Sequence, residues 1–336
     1  MKRIANIVAF LLFAVASITA HTYAPESVLN NGKWVKIRVA ETGVHCMTYD
    51  EIAAAGIDPA NLRIYGYGGA MLSQDFTLEK QDDLPSVAFY MHKGDDGIFG
   101  KGDYILFYAQ GTDSWQYSGN HFVHTRNPYS QYGYYFLTDD AGEQRLIQTA
   151  EPLTDATYTA DTYTAYMVHD KDSVNMVDVS GKAGGGREFY GEQLNSIRKK
   201  LHVTFPFHDI VPNTELDIRC RVAGVSGVAS VFTMAVGDNT YSCTTERILA
   251  SDFYTKATTN EKNDRFTLPA DGTDKQVFQL SFSNSQAGSR GYLNYIEIAA
   301  VCKMVMTGQE MVMTNTEHLG ASGNTRYTLS NATAGI

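Results

Sequence analysis

Short segments in which apolar and polar residues alternate recur along this chain from residue 33 onward. A period of two places every second side chain on the same face, which is the pattern of a half-buried β-strand. The segment KWVKIRVA at 33–40 is the clearest case, and the turn signal Asn31-Gly32 precedes it. By alternation or by short apolar runs we predict further strands at 44–47, 62–67, 87–92, 104–109, 134–138, 163–168, 201–205, 216–222, 231–236, 265–268, 277–282 and 293–306.

One segment carries the signals of a helix instead. Thr48 is a good N-cap residue, Glu51 stands three positions later as its capping-box partner, and Gly56 follows as a stop signal. We therefore predict one short helix near the N-terminus.

The fold class follows from the spacing of these elements. The second half of the chain has no segment with a sustained helical period, and short strands separated by turn signals are typical of β-sandwiches. We predict an all-β fold of two β-sandwich-like domains. The polar stretch at 151–161 marks the boundary, so we expect domains at 21–160 and 161–313. Residues 314–336 are polar, and we expect them to add little to a core.

The first twenty residues have the pattern of a secretory signal peptide. Lys2 and Arg3 precede a ten-residue apolar run at 7–16, and Ala20 offers a small residue at the cleavage point. The run is too short to span a bilayer as a resident helix, and no later segment of the sequence is long and apolar enough to do so. We expect an exported protein whose mature chain has no transmembrane segment.

Charge excludes one class of partner. The chain has 27 basic and 37 acidic residues, a net charge of −10, and removal of residues 1–20 takes away two basic residues. Binding to nucleic acid requires a basic surface that neutralises phosphates. We therefore expect no nucleic-acid partner.

The four cysteines are Cys46, Cys220, Cys243 and Cys302. An exported chain permits disulfides, and four cysteines allow three pairings. Cys220 and Cys243 lie in neighbouring strand-like segments and form the favoured pair, while four free thiols are the equally weighted alternative. No CxxC motif occurs, which disfavours a thioredoxin-type or cysteine-rich zinc site.

A glycine- and aspartate-rich loop, GDDGIFGKGD at 94–103, is a candidate calcium site. Asp95, Asp96 and Asp103 supply carboxylates in a tight turn, which is the chemistry that Ca²⁺ prefers. The spacing fails the EF-hand pattern, because Gly97 stands at the third position counted from Asp95 and Leu106 at the twelfth, where that pattern requires oxygen ligands. A solvated loop is the favoured interpretation.

Two histidine-containing pairs suggest chemistry only weakly. His121 and His124 are three residues apart, which on a strand places them on opposite faces and disfavours a shared metal. His45 and Cys46 are adjacent and face apart for the same reason, so the imidazole cannot readily accept the thiol proton.

Two further patterns do not predict a site. Glu188 and Glu192 could form a glycosidase pair, but that chemistry requires a defined separation across a cleft. Gly66, Gly68 and Gly69 follow a strand, yet no helical pattern opens after them to receive a phosphate. We assign no catalytic, cofactor-binding or metal-ligating residue.

Five segments resemble one family in their order and spacing. They are KWVKIRVAETGVHCMTYDEIAAAGIDPANLRIYGYGGAML at 33–72, GDYILFYAQGTDSW at 102–115, NPYSQYGYYFLTD at 127–139, GREFYGE at 186–192 and GYLNYIEIAAVCKMVMTGQEMV at 291–312. Together they resemble the N-terminal region of the sortases of the Bacteroidetes type IX secretion system, which are relatives of the gingipain cysteine proteases.

This resemblance implies work at the cell surface. Such sortases have a caspase-like catalytic domain with a Cys–His pair, which removes the sorting domain of secreted cargo and joins the cargo to anionic lipopolysaccharide. They are held at the outer membrane by a β-barrel partner of the PorV kind, in an attachment complex. No segment of this chain resembles the catalytic motifs. We therefore expect a non-catalytic docking and positioning module, with 314–336 as a linker toward an absent catalytic domain.

Two alternatives remain open from the sequence. The first is a fragmentary record of a full gingipain-like cysteine endopeptidase and transpeptidase. The second is a carbohydrate-binding β-sandwich that uses exposed tyrosines such as Tyr129, Tyr132 and Tyr134.

Overall fold

A computed structural model describes residues 23–78, 80–140, 142–151, 153–175, 188–268 and 275–332. The predicted signal peptide at 1–20 and the glycine run at 184–186 lie outside these ranges. Strands dominate the described residues and only one short α-helix occurs among them, so the predicted all-β fold is confirmed. The chain divides into two compact units: unit 1 spans 1–114 and 125–149, and unit 2 spans 115–124 and 150–336.

Unit 1 is built from two antiparallel sheets that share one core. One sheet has the strand order β1-β9-β3-β4 and the other has the order β2-β6-β5. The strands of this unit are β1 Val35–Val39, β2 Gly43–Thr48, β3 Arg63–Gly68, β4 Ser86–Val87, β5 Phe89–His92, β6 Tyr104–Ala109 and β9 Gly133–Thr138.

Alternation along these strands produces the core of unit 1. In β6 every second residue faces inward, and Ile105, Phe107 and Ala109 are buried. They pack with Ile64 and Leu137 from the other sheet. Burial of each large apolar side chain contributes about 1.5–3 kcal/mol, so this shared core holds the two sheets together.

The predicted helix is present as α1, Tyr49–Ala54. The hydroxyl of Thr48 accepts a hydrogen bond from the backbone N–H of Glu51, and the Glu51 carboxylate accepts one from the backbone N–H of Thr48 at 2.8 Å. This reciprocal capping box satisfies backbone donors at the start of the helix. Ile52 is the buried residue that joins the helix to the core of unit 1.

A hairpin that the sequence patterns did not predict connects β6 to β9. Its strands are β7 Asp113–Ser118 and β8 His121–Arg126, and its tip from 115 to 124 belongs to unit 2. Gly119 and Asn120 at the turn both have positive φ, of 58° and 66°. Two consecutive positive φ values are the requirement of a type I′ turn, for which glycine and asparagine are suited.

Unit 2 contains two larger antiparallel sheets and several short strands. The larger sheet has the order β11-β21-β16-β19 with β14 paired to β21, and the facing sheet has the order β15-β20-β17-β18. The strands are β10 Tyr158–Ala160, β11 Thr162–Asp170, β12 Val174–Asn175, β13 Phe189–Tyr190, β14 Gln193–Leu194, β15 Lys200–Pro206, β16 Glu215–Val225, β17 Ser230–Val236, β18 Asn239–Thr245, β19 Thr258–Thr267, β20 Lys275–Ser283, β21 Arg290–Lys303 and β22 Thr325–Tyr327.

The core of unit 2 lies between these two sheets. Leu216, Ile218 and Cys220 on β16 face Phe232 and Met234 on β17 within one buried cluster. At one end, Gly291 on β21 leaves room for aromatic packing, because a Cβ there would come within 2.5 Å of the Phe282 ring.

Residues beyond β21 are attached to unit 2 by backbone hydrogen bonds. β22 pairs in parallel with β10, with Tyr158 opposite Thr325. The backbone N–H of Thr164 donates to the carbonyl of Thr314 at 2.7 Å.

The division between the two units falls between residues 149 and 150 in the structure, whereas the sequence patterns predicted a boundary at 160.

The cysteines appear as thiols in this structure. Cys46, Cys220 and Cys243 are free, so the favoured Cys220–Cys243 disulfide is absent among the described residues. Cys220 and Cys243 are both buried in the core of unit 2 on facing sheets, and burial raises the pKa of each thiol. They behave there as small apolar side chains.

Candidate functional site

The sheet β2-β6-β5 of unit 1 has an outward face that is apolar and exposed. We call it the outer apolar face and define it by Val44, Cys46, Tyr90, Leu106 and Tyr108. Tyr108 is 62% exposed and Val44 is 53% exposed. Clusters of exposed large apolar side chains mark interaction surfaces more often than scattered ones do.

Strand register brings these side chains together. Val44 on β2 lies opposite Tyr108 on β6, and Leu106 lies between Cys46 on one side and Tyr90 on the other. Opposite residues in an antiparallel pair have Cβ atoms about 4.5–5.5 Å apart. The outer apolar face is therefore a continuous surface made by three strands.

An aromatic pair extends this surface at one end. The rings of His92 and Tyr104 stack with centroids 4.6 Å apart, and the two residues are opposite each other in the β5–β6 register. A stacked pair of this kind fixes the orientation of both rings. The face is consequently bounded by an ordered aromatic pair.

The adjacent His45 and Cys46 lie on opposite faces of β2. The His45 ring lies 5.9 Å from the Phe107 ring, and its Nε2 lies 3.0 Å from the carbonyl of Glu41. Desolvation and the negative charge of Glu51 raise the pKa of the Cys46 thiol. A nucleophilic cysteine needs a lowered pKa or an adjacent base, so this geometry does not activate Cys46.

Two aspartates of the 94–103 loop accept hydrogen bonds from backbone N–H groups of the same loop. Asp96 accepts a hydrogen bond from the N–H of Ile98 at 2.9 Å, and Asp103 accepts one from the N–H of Gly100 at 2.8 Å. No group of three or more candidate metal-ligating side chains occurs within the described ranges. The low calcium affinity expected from the sequence stays a prediction.

His121 and His124 contact different partners in unit 2. Nδ1 of His121 lies 2.7 Å from Asp217, whereas the His124 ring packs against Trp115 in a tilted arrangement with ring centroids 4.9 Å apart. The backbone N–H of His124 donates to Glu297 at 2.9 Å. The two imidazoles therefore hold the hairpin tip to the outward face of the larger sheet.

That outward face carries a network of buried charges. Arg219 donates to Glu297 and to Glu261, each at 2.9 Å, and the Tyr295 hydroxyl donates to Glu261 at 2.6 Å. Glu297 is only 3% exposed, and desolvation raises the pKa of its carboxyl although Arg219 opposes the shift. A buried ion pair of this kind fixes geometry, and removal of one member leaves the other uncompensated.

Glu188 and Glu192 have separate partners. Glu188 accepts hydrogen bonds from Arg221 at 2.6 Å and from the hydroxyl of Tyr190 at 2.8 Å. Glu192 lies 3.0 Å from Nε2 of His169. Each carboxylate is engaged by neighbours within unit 2.

The glycines after the third predicted strand lie within β3 and beyond it. Gly66 and Gly68 have positive φ, and β3 ends at Gly68. A Cβ at Gly69 would come within 2.6 Å of Gly133. These glycines permit a close approach of two backbones and an irregular strand end.

Two of the three tyrosines proposed for carbohydrate stacking already contact a cationic side chain. The Lys36 ammonium lies 3.8 Å from the centroid of the Tyr134 ring, and the Arg38 guanidinium lies 4.8 Å from that of Tyr132. These are cation–π contacts within unit 1. Of the three, Tyr129 is the most exposed.

Sequence reasoning missed the outer apolar face for a physical reason. The segment YILFYA at 104–109 is apolar at every position, so its pattern predicts a strand but not which side chains face the core. The absence of polar residues from this segment was nevertheless a signal, because it means that both faces of the strand carry apolar side chains. Only the pairing of three strands shows that Leu106 and Tyr108 point away from the core.

No helix in the described part of the chain is long and apolar enough to cross a membrane. No protein-family model matches the sequence, and no curated protein matches it either.

The two-unit arrangement of strands identifies the chain as an all-β protein that shares its fold with part of a larger protein. That protein is the dimeric latent PorU from Porphyromonas gingivalis, with a TM-score of 0.75 and 24% sequence identity. The match covers 93% of this chain and 28% of the PorU chain, so this chain spans little more than a quarter of that protein's length. The resemblance predicted from the sequence is thereby confirmed at the level of the fold.

Carbohydrate-binding modules give weaker matches. A module named CBM36, solved with calcium and xylotriose, matches with a TM-score of 0.23 and 14% identity over 38% of this chain and 99% of its own. CBM35 from Cellvibrio japonicus matches with a TM-score of 0.23 and 10% identity over 45% of this chain and 99% of its own. Scores this low do not establish a shared fold.

Proposed function

We propose that this chain is a non-catalytic docking and positioning module of a PorU-like sortase in type IX secretion. The observation that carries the proposal is the fold match to PorU over 93% of the chain. In this role the module acts at the cell surface, where secreted cargo is processed and attached. Its partner is an outer-membrane β-barrel of the PorV kind.

The outer apolar face supports a docking role. The cores of protein–protein interfaces are enriched in aromatic side chains and depleted of charged ones. Val44, Tyr90, Leu106 and Tyr108 match this composition in a chain whose net charge is −10. A neutral surface lets an acidic chain bind a partner without charge repulsion.

The experiment tests the face and the partner together. The PorV-like barrel encoded in the same genome is purified in detergent, and its affinity for the chain is measured by biolayer interferometry. We expect the double variant Val44→Ser, Tyr108→Ser to bind at least tenfold more weakly, because central aromatic anchors dominate interface energetics. Ile197→Ser, an exposed apolar position in unit 2, is the matched control.

Two results would contradict the proposal. One is that the purified barrel does not bind the chain at all. The other is that it binds the double variant and the Ile197→Ser control equally well. Unchanged thermal melting of all three proteins establishes that the comparison concerns binding and not folding.

The non-catalytic role makes a separate prediction about peptidase activity. We expect no thiol-dependent peptide hydrolysis by this chain, because the raised pKa of Cys46 and the opposite orientation of His45 provide no nucleophile. Hydrolysis of a fluorogenic peptide that disappears in Cys46→Ala would contradict a non-catalytic role for this chain.

A further inference from the structure

We propose that a cleft at one end of unit 2 binds a neutral saccharide. The cleft lies where three loops meet, at 226–229, 246–257 and 284–289, and each loop joins a strand of one sheet to a strand of the other. Strand register places the three loops at the same end, since Gly224 lies opposite both Thr258 and Gly291. Loops clustered at the end of a sandwich are frequent binding sites.

The size of this end cleft suits a small ligand. Its volume is about 400 Å³, and its lining includes Ser226, Ile248, Leu249, Asp252, Gln286 and Ser289. Pockets for small molecules in proteins have volumes of about 300–1,000 Å³. One or two sugar units can be accommodated in such a space.

Hydrogen bonds between the loops hold the end cleft in shape. The carbonyl oxygen of the Gln286 side chain accepts from the Ser226 hydroxyl at 2.8 Å and from the N–H of Gly227 at 2.6 Å. The N–H of Ile248 donates to the carbonyl of Ser226 at 2.8 Å. A site whose loops are already ordered loses less conformational entropy on binding.

Two polar groups in the end cleft are left for a ligand. Ser289 is only 6% exposed, and its hydroxyl has no hydrogen-bond partner among the described residues. The amide nitrogen of Gln286 likewise has no acceptor there, because the loop contacts use only its oxygen. A hydroxyl and an amide donor that line one cleft can both hydrogen-bond to the hydroxyls of a sugar.

The charge of the lining excludes an anionic ligand. Asp252 is the single charged residue among the described residues that line the end cleft. Its carboxylate accepts from the N–H groups of Tyr254 and Thr255, at 3.1 and 3.0 Å, and from the Thr255 hydroxyl. A phosphate or carboxylate would meet no cation and one negative charge, which disfavours an anionic ligand. The hydrogen bonds from Tyr254 and Thr255 already engage the carboxylate that a cationic ligand would need, so the ligand is neutral.

Apolar groups complete the site. Leu249 lines the end cleft and is half exposed, and Ile248 lines it beside Leu249. A sugar ring presents apolar C–H faces as well as hydroxyls, which matches apolar surface combined with two neutral polar groups. An extended peptide is instead recognised along a sheet edge, and this cleft lies between loops.

The test uses the full chain and four neutral oligosaccharides: xylohexaose, maltohexaose, cellohexaose and mannohexaose. Binding is followed by saturation-transfer NMR and titration at millimolar concentration. We expect at least one to bind, and we expect Ser289→Ala and Gln286→Glu each to weaken it about three- to tenfold, the effect of losing one hydrogen bond. Gln286→Glu keeps the acceptor oxygen that the loops use.

Leu249→Ala provides a variant at an exposed position of the lining that does not disturb the core, and we expect it also to weaken binding. Tyr129→Ala removes an exposed ring of unit 1 and should leave binding unchanged. Three results would overturn the proposal: none of the four oligosaccharides binds, the end-cleft variants bind as well as the unchanged chain, or a neutral Ala-Ser-Gly peptide binds in their place. The outcome is independent of the docking role, because the outer apolar face lies in unit 1.

Discussion

Each unit has a sheet face that is turned away from its own core, and the two faces differ in chemistry. In unit 2 this face carries charged groups such as the partly buried Arg219 and the buried Glu297, and the hairpin tip at 115–124 contacts it. In unit 1 the corresponding face exposes Val44, Leu106 and Tyr108. The first face is engaged by its own chain and the second is available to a partner.

The difference shows that outward-facing side chains of a sheet can have one of two roles. They can bind a segment of their own chain, or they can bind a partner. Buried charge on the face of unit 2 selects one covering segment, because only a segment with matching hydrogen bonds compensates the desolvated groups. The apolar surface on unit 1 has no desolvated charges that need hydrogen bonds, so it can bind a partner of complementary shape. Charged side chains therefore select the covering segment in unit 2, whereas apolar side chains provide the surface for a partner in unit 1.

The largest effect is expected where the larger sheet of unit 2 loses a central strand. A chain that ends at Gly291 lacks nearly all of β21, which lies between β11 and β16. It loses the buried side chains of residues such as Leu293, each contributing about 1.5–3 kcal/mol, against a domain stability of roughly 5–15 kcal/mol. We expect unit 2 to unfold or aggregate, as seen by circular dichroism and gel filtration. A soluble protein with two cooperative transitions would refute this.

The next effect tests the buried charges directly. Arg219→Ala leaves Glu297 buried and uncompensated, and we expect the free energy of unfolding of unit 2 to fall by about 3–5 kcal/mol. Urea denaturation monitored by fluorescence measures it. Arg126→Ala, which disrupts the half-exposed Arg126–Asp113 pair in unit 1, is the control and should cost at most about 1 kcal/mol. Equal losses in the two variants would mean that the network of unit 2 is not specially stabilising.

The sequence predicted the strands well and the surfaces poorly, for reasons visible in particular residues. Alternation identified β15, where Leu201, Val203 and Phe205 face inward, and capping chemistry identified α1. The hairpin β7–β8 was not predicted although Gly119-Asn120 is a turn signal, because the segment HFVHTR at 121–126 does not alternate: its apolar residues Phe122 and Val123 are adjacent. The end cleft has no local signal at all, since its loops are distant in sequence and meet only when the sandwich forms.

A smaller effect is expected from deleting residues 314–336. The sequence suggested a linker with little influence on melting, but β22 pairs with β10 and Thr314 accepts a hydrogen bond from Thr164. Each such bond contributes about 0.5–1.5 kcal/mol, and the ordering entropy of the segment offsets part of the total. We expect a loss of about 1–3 kcal/mol in the stability of unit 2, measured by calorimetry. An unchanged melting temperature would restore the interpretation as a linker.

The smallest effect concerns the capping box of unit 1. Thr48→Ala removes the side-chain acceptor for the N–H of Glu51, and we expect a loss of about 1 kcal/mol in the stability of unit 1. Glu51→Ala removes the reciprocal acceptor, and its cost should depend on pH. Hydrogen bonds from the backbone and side chain of Thr48 lower the pKa of the Glu51 carboxyl below its ordinary value.

The sign of that dependence follows from the lowered pKa. A carboxyl with a lower pKa in the folded state stabilises the fold above the pKa of the unfolded chain, about 4.3 for Glu, and this contribution is lost as pH falls through the folded value. The difference in unfolding free energy between the unchanged chain and Glu51→Ala should therefore be largest near neutral pH and shrink toward pH 3. Asp50→Ala, at the neighbouring exposed position in the first turn, is the matched control. If the difference for Glu51→Ala were constant from neutral to acid pH, the ionised carboxylate would have no part in capping the helix.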